Sequence, residues 1–306
     1  AMTPRDLVGY RVVAVHAHPD DEAITTGGSL FDLARRGADV LVVTCTLGEE
    51  GEVIGAPFAH LTNDYADQLG GFRVAELTRA LSILGVRGRF LGGAGRFRDS
   101  GMAGSPAHEN PRAFVNSGAE AVDLLTGILE VERPHLVITY GPDGGYGHPD
   151  HIRAHEITHA AARRVDVPRI LWTVNDLTET AAGVRDITLV PGGWSLPDED
   201  YLANQGVGKH DLAIDLDDGA LAAKREAMRA HATQIWFADG SVSATNPQAA
   251  WGQGRHPVWA LSNLLAQPLL SREHYQLAAG ELPEADLLGG PGLLDGIPRD
   301  PAEGKA

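Results

Sequence analysis

The first half of the chain alternates short apolar runs with segments whose apolar residues recur every three or four positions. Residues 11–15 form a compact Val-rich run that ends in a polar cluster, and they read as a first strand. A helix over 28–36 follows, with Leu30, Leu33 and Ala34 on one face and Gly37 as its stop. Residues 39–46 are almost continuously β-branched, the pattern of a strand buried on both faces of a parallel sheet. Leu77, Leu81 and Leu84 stand at helical spacing ahead of Gly85, and 89–91 make a short strand. Ser117 with Glu120 three positions on is a capping-box pattern, opening a helix that carries Val122, Leu125 and Leu129 and stops at Pro134. Strand 135–140, helix 149–164 and strand 169–174 complete the series.

Strands alternating with helices imply right-handed crossovers. The expected fold class is therefore α/β: a Rossmann-like open, mainly parallel sheet with helices on both faces. In such sheets the ligand crevice lies beyond the carboxyl ends of the strands. After about residue 176 the periodicity weakens, leaving one clear helix over 221–231 behind the capping pair Asp217 and Asp218, and a loose tail over 289–306. The expected organisation is a Rossmann-like catalytic core over 1–175 and a smaller C-terminal α/β layer over 176–306 that completes the substrate crevice.

Composition narrows the function classes. With 43% hydrophobic and 22% charged residues the chain is neither disordered nor a coiled coil. No apolar run reaches the ~18 residues of a membrane span, and no basic-then-apolar leader is visible. Ala1 ahead of Met2 reads as a cloning remnant. The 25 basic residues against 41 acidic ones give a net charge of −16, which repels phosphate backbones and anionic lipid. Neither a nucleic acid nor a membrane is expected as a partner. Cys45 is the only cysteine, so no internal disulfide forms, and a reducing cytoplasm is the expected compartment.

Two clusters carry the chemistry. His16-Ala17-His18-Pro19-Asp20-Asp21-Glu22 directly follows the first strand, and Tyr146-Gly147-His148-Pro149-Asp150-His151 follows the strand ending at Tyr140. Both sit at strand-to-helix junctions, where Pro19 and Pro149 preset a helix start. The pairs His18/Asp21 and His148/His151 have i, i+3 spacing, which faces one way on a first helical turn. Two imidazoles and one carboxylate suit a catalytic zinc with open coordination positions, and Fe²⁺ accepts the same ligands. Asp20 and Asp150 then remain for proton transfer or for orienting an imidazole. His16, at the end of a buried strand, reads as a packed residue. His60, His108, His155, His159, His210, His256 and His274 carry no claim.

Rival readings are weaker. The glycine-rich stretches 92–95 and 141–147 lack the Gly-Lys-Ser/Thr of a phosphate loop, and the first strand is not followed by a dinucleotide fingerprint. No Gly-x-Ser-x-Gly elbow occurs, and Cys45 reads as core. His18-x-Asp20 with a distal histidine matches the facial triad of non-haem iron oxygenases, but those are mostly built on all-β double-sheet scaffolds. A closed structural zinc site would want four Cys or His ligands.

These residues resemble a known family. Ala17-His18-Pro19-Asp20-Asp21-Glu22 together with His148-Pro149-Asp150-His151 is similar to the signature of the LmbE-like (PIG-L) zinc deacetylases, which remove acetyl groups from N-acetylglucosaminyl compounds on a Rossmann-like fold. Within the family, residues 44–55, 66–71, 92–104 and His231-Ala232-Thr233-Gln234 are similar to the branch that deacetylates N-acetylglucosaminyl-inositol in mycothiol biosynthesis. A sister branch, the mycothiol S-conjugate amidases, carries a lysine shortly after the first motif. Ala23-Ile24-Thr25-Thr26 has none, which favours the deacetylase.

The resemblance implies one zinc per chain held by His18, Asp21 and His151, with Asp20 as general base. It implies His148 as acid or electrostatic stabiliser oriented by Asp150, and Tyr146, on a mobile glycine-flanked loop, as a polariser of the amide carbonyl. Arg73 and Asp99 match positions that would bond sugar or inositol hydroxyls. The implied partner is a small amino-sugar inositol, the oligomeric state being left open. Whether His148 or Asp20 protonates the leaving amine, and whether His231 or Asn263 reaches the site, also stays open.

Overall fold

In the computed structural model, residues 5–284, 290 and 292–300 are described. Strand β1 (Arg11–His16) leads into helix α1 (Asp21–Arg35), then β2 (Asp39–Thr44), α2 (Leu69–Leu84), β3 (Arg87–Phe90), α3 (Gly118–Glu132), β4 (Leu136–Tyr140), α4 (Pro149–Ala162) and β5 (Arg169–Val174). There follow α5 (Leu177–Arg185), α6 (Glu199–Ala203), β6 (Leu212–Asp215), α7 (Asp218–Ala230), β7 (Trp236–Phe237), β8 (Val258–Ala260), β9 (Gln267–Pro268) and β10 (Arg272–Ala279).

Seven strands make one sheet in the order β3-β2-β1-β4-β5-β10-β6. The first five are parallel, whereas β10 runs antiparallel to both β5 and β6. The strand order reverses between β1 and β4, so the loops after these two strands diverge and open a crevice at the carboxyl edge. Both polar clusters lie on those two loops. The remaining strands form a small antiparallel sheet, β7-β8-β9. Nothing here resembles the all-β double sheet of the oxygenase reading.

The continuous apolar strands reflect two covered faces. On β1, Val13 and Val15 pack with Leu125, Leu129 and Ile157 of α3 and α4, while Val12 and Ala14 pack with Leu30, Leu33 and Leu77 of α1 and α2. Helix α7 lies against α1 and α2, so the chain's second half is built into the layer that carries the first cluster.

Four local expectations are corrected. Helix α1 begins at Asp21 rather than residue 28. Its first turns, with Asp21, Glu22, Ala23, Thr25, Thr26 and Gly27, gave little apolar signal. Further along, the helix packs closely: a Cβ on Gly28 would lie 2.4 Å from Leu216 Cδ1. Glu273 of β10, itself paired with Lys224 at 2.7 Å, accepts the backbone N–H of Gly28 and Ser29. The second strand stops at Thr44. Ser117 forms no capping box: its hydroxyl accepts from Arg153, Glu120 pairs with Arg96, and a left-handed Arg133 (φ 44°) ends the helix ahead of Pro134. Part of the expected loose tail is packed. Leu293, Leu294 and Ile297 are buried in the core beside Leu7 and Leu136, where Arg169 donates to the carbonyls of Leu293 and Asp295. Residues 285–289, 291 and 301–306 of that tail region lie outside the described set.

Candidate active site and metal centre

β1 ends at His16, whose Nε2 lies 3.0 Å from Thr26 Oγ1 in a fully buried setting. The chain then turns through Pro19 into α1. Asp20, at the N-cap, has φ 126° and ψ −33°, well outside the left-handed helical region where a non-glycine residue can rest. Such strain persists only where surrounding contacts hold it, and here they are abundant. Its N–H donates to Glu22 Oε2 at 2.9 Å. The Arg73 guanidinium donates to Asp20 Oδ2 at 3.0 Å, to Gly48 O at 2.8 Å and to Pro19 O. Gly48 is required for that approach, since a Cβ there would lie 2.0 Å from Arg73 Nη1.

Asp21 Oδ2 is the centre of the cluster. It accepts from the His18 N–H at 2.9 Å and from the Tyr140 hydroxyl at 2.7 Å, and Tyr140 in turn accepts from the Ala17 N–H at 2.8 Å. His18 Nδ1 lies 3.4 Å and His151 Nε2 3.3 Å from the same oxygen. His151 is fixed by its other nitrogen, Nδ1–H donating to Gly144 O at 3.0 Å, and by stacking on Tyr140 with centroids 4.1 Å apart. Gly144 has φ 67°, and a Cβ on it would meet His151 Cβ at 2.7 Å, so the loop needs glycine there.

Among the described residues, two trios could hold a metal ion: His18/Asp21/His151 and His18/His148/Asp150. The ring nitrogens discriminate between them. The Asp150 N–H donates to His148 Nδ1 at 3.1 Å, which leaves the proton of a neutral ring on Nε2, a donor rather than a ligand. His151 Nε2, by contrast, is buried with no hydrogen-bond partner, its lone pair exposed to the cluster. The other nitrogen of His18, Nε2, lies 3.1 Å from Asp150 Oδ2, the outer carboxylate-to-imidazole contact that metal-binding histidines commonly have. The first trio therefore fits a cation, with His18 Nδ1, an Asp21 oxygen and His151 Nε2 as donors.

Several side chains sit differently from their expected roles. The Asp150 carboxylate holds His18 and the Ser100 N–H (2.9 Å), while only its backbone touches His148, so its orienting action falls on a different ring. Arg73 is 3% exposed and committed to Asp20 and two carbonyls, so it is not on a solvated helix face. Asp99 is 4% exposed, with Oδ1 3.5 Å from His18 Nε2 and its N–H on Glu49 Oε2 at 2.9 Å. Tyr146 is 44% exposed between Gly145 and Gly147, both at positive φ, with its ring centroid 5.1 Å from His151 and 6.1 Å from His148. Asn263 is exposed and donates to Tyr201 instead.

Charge follows from this packing. Burial pushes the Asp20 carboxyl up to about 6, against the pull of Arg73. Burial also raises Asp21, but the His151 and His18 imidazoles outweigh it and hold Asp21 well below the usual carboxylate range. Burial and the neighbouring His18 and His151 push His148 down to about 3, so its ring is neutral at working pH.

The sequence reading gave no role to Tyr140 or Glu22 and left His231 open. Glu22 and His231 are fully buried and meet at 2.5 Å. His155-Glu156-Ile157-Thr158-His159 has the His-Glu-x-x-His spacing of a zinc-hydrolase helix. Its rings are used otherwise: His155 Nδ1 donates to Tyr140 O at 2.9 Å and His159 Nε2 accepts from Trp172 Nε1 at 2.8 Å.

Comparisons with known proteins identify the family. A family model described as PIG-L, GlcNAc-PI de-N-acetylase, matches residues 13–162, the span holding both clusters. A Corynebacterium glutamicum protein is 61% identical over 300 residues, covering 97% of this chain and 99% of its own. A Nocardia farcinica protein is 52% identical over 286 residues, covering 88% and 90%. Both are named 1D-myo-inositol 2-acetamido-2-deoxy-alpha-D-glucopyranoside deacetylase.

Solved structures with the same fold include a deacetylase in complex with teicoplanin (TM-score 0.51, 18% identity, 88% of this chain and 98% of that one). Another is the 4-carboxy-2-hydroxymuconate hydratase of Pseudomonas putida (TM-score 0.52, 16% identity, 90% and 98%). A deacetylase and a hydratase on one scaffold make the fold alone silent about the reaction. Near-full-length identity above 60%, with the matched family model spanning both His-Asp clusters, shows that the chain belongs to the PIG-L family of de-N-acetylases.

Proposed function

We propose that this protein is a zinc-dependent deacetylase that hydrolyses the acetamide of N-acetylglucosaminyl-inositol to acetate and glucosaminyl-inositol, a step of mycothiol biosynthesis. One observation carries the chemistry: a buried His18/Asp21/His151 trio with an unpartnered His151 Nε2, set beside a strained, unligated Asp20. The names of relatives that match almost the whole chain support the substrate. A zinc ion held by His18, Asp21 and His151 would supply Lewis-acid chemistry, lowering the pKa of a bound water towards about 7.

The chain's own residues do the rest. Asp20, with a carboxyl at about 6, is ionised at neutral pH yet close enough to titration to take the proton of the attacking water. Arg73 holds that carboxylate in place. His148 offers a neutral Nε2–H where negative charge develops on the carbonyl oxygen, a donor of the kind worth roughly 3–4 kcal/mol. Tyr146, free to swing on its glycine-flanked loop, is the second donor. Because His148 holds no spare proton, the one taken by Asp20 returns to the amine nitrogen as the C–N bond breaks. Asp99 and Arg73, on the floor beside His18 and Asp20, are the contacts proposed for sugar or inositol hydroxyls. The region after residue 176 closes one side of the crevice through the turn at residues 231–235.

The test is amine release by zinc-loaded protein, with N-acetylglucosaminyl-inositol and a mycothiol S-conjugate assayed side by side. Fast cleavage of the first and slow cleavage of the second is expected. The reverse preference would make the protein an amidase, and silence on both would overturn the proposal.

A further inference from the structure

Among the described non-glycine residues with positive φ, Asp67, Arg133 and Leu264 lie at 51°, 44° and 54°, inside the left-handed helical region, whereas Asp20 stands apart at 126°. Such a conformation persists only while surrounding contacts hold it. Two groups hold it. Arg73 grips the carboxylate and the preceding carbonyl, and the Glu22 carboxylate grips the N–H.

Glu22 divides its oxygens. Oε2 takes the Asp20 N–H at 2.9 Å, and Oε1 takes His231 Nε2 at 2.5 Å. His231 lies 209 residues further along, at the end of α7, and is itself immobilised. Its carbonyl accepts from the N–H of both Gln234 and Ile235 at 2.9 Å. Thr233 donates from N (2.8 Å) and Oγ1 (2.6 Å) to Glu76 of α2, and Gln234 Nε2 donates to Glu52 O at 2.9 Å. The turn that carries the imidazole is thus anchored from α2 and the segment at Glu52, and the ring's Nε2 meets Glu22.

We infer that His231 is a positioning residue for the reaction: acting through Glu22, it holds the strained backbone of Asp20 and so aims the base. The inference rests on the proposed role of Asp20 as base. Without the His231 donor, Glu22 is a buried carboxylate short of a partner, which rotates or takes up a proton. The Asp20 N–H is then released and the residue relaxes. A misplacement of about 1 Å at a catalytic group costs on the order of 10²-fold in rate.

Two variants separate positioning from packing. His231→Gln places an amide N–H near the position of Nε2, whereas His231→Asn places one near Nδ1, out of reach of Glu22. Expected for His231→Asn is a kcat about 100-fold lower, with KM within about twofold, metal content unchanged, and an Asp20 φ relaxed out of the positive region in its crystal structure. His231→Gln is expected to recover to within about tenfold of wild type and to keep the Asp20 conformation. Equal kcat in both variants, loss of metal in the Asn variant, or an unmoved Asp20 would overturn the inference. So would failure of both variants to fold, which would make the pair a folding requirement. If the wild-type protein releases no amine from the sugar-inositol, the proposed function fails, while the Asp20 conformation in the two crystal structures still decides whether His231 holds it.

Discussion

Replacing Asp20 with asparagine should make the metal-free protein more stable and the metal-loaded protein nearly inactive. The magnitude follows from the burial of the carboxyl. Lifting it from an ordinary 3.8 to about 6 means that the ionised form weakens the folded state by about 3 kcal/mol. That figure already includes the attraction to Arg73, because Arg73 is among the causes of the value. Asparagine has the shape of the protonated acid and keeps an oxygen for Arg73, so it keeps the structure and removes the penalty.

The sign with pH is fixed. A group whose folded pKa is raised favours folding when protonated, so wild-type stability falls as pH rises from about 4 to about 6 and is then level. The asparagine variant therefore gains only about 0.6 kcal/mol at pH 4 and the full amount at pH 7.5. Spread over 306 residues, about 3 kcal/mol corresponds to a melting temperature about 5 °C higher. The assay is calorimetric melting of chelator-treated protein at both pH values, beside amine release by the zinc-loaded variant. Loss of the base should cost on the order of 10²–10⁴-fold in kcat. A variant no more stable than wild type at pH 7.5, or one with turnover within threefold, would refute the reasoning.

Three further outcomes follow from named contacts. Tyr140→Phe removes the hydroxyl that bridges Asp21 Oδ2 and the Ala17 N–H, and should weaken metal affinity by about 10–100-fold in a chelator competition. His148→Ala should lower kcat by about 10²–10³-fold with metal content unchanged, as expected for removal of a neutral oxyanion donor. Its pKa of about 3 in the wild-type protein also means that the wild-type rate should show no inflection near pH 6.5 from this ring, checked by comparing pH profiles of the two proteins. Gly28→Ala forces a Cβ to within 2.4 Å of Leu216 and should cost about 1–3 kcal/mol in denaturant unfolding, by overpacking α1 against the strand β6 end.

The site was readable where chemistry is concentrated in short stretches. His18, Asp20, Asp21, His148 and His151 stood out because polar residues crowded two strand ends that an open parallel sheet brings to one edge. Helix α1 was half hidden, since its first two turns hold the site carboxylates Asp21 and Glu22 and the small residues Ala23, Thr25, Thr26 and Gly27, which leave Ile24 as the one large apolar side chain and so no periodicity. Tyr140 read as the last residue of an apolar strand, yet it supports Asp21 and stacks on His151. The family resemblance implied Asp150 as the partner of His148, two positions away. In space its carboxylate reaches across to His18, 132 residues away.

By itself, the sequence determined the α/β class, the sheet's core strands and the inventory of groups able to bind a cation or move a proton. These depend on periodicity and residue type, which are local properties. Tertiary structure alone decided which nitrogen of each imidazole is free, which carboxylate backs which ring, and that the second half of the chain holds Asp20 through His231 and Glu22. Those outcomes depend on distances of about 3 Å between residues up to 209 positions apart, set by how α1, α4 and α7 pack on the sheet.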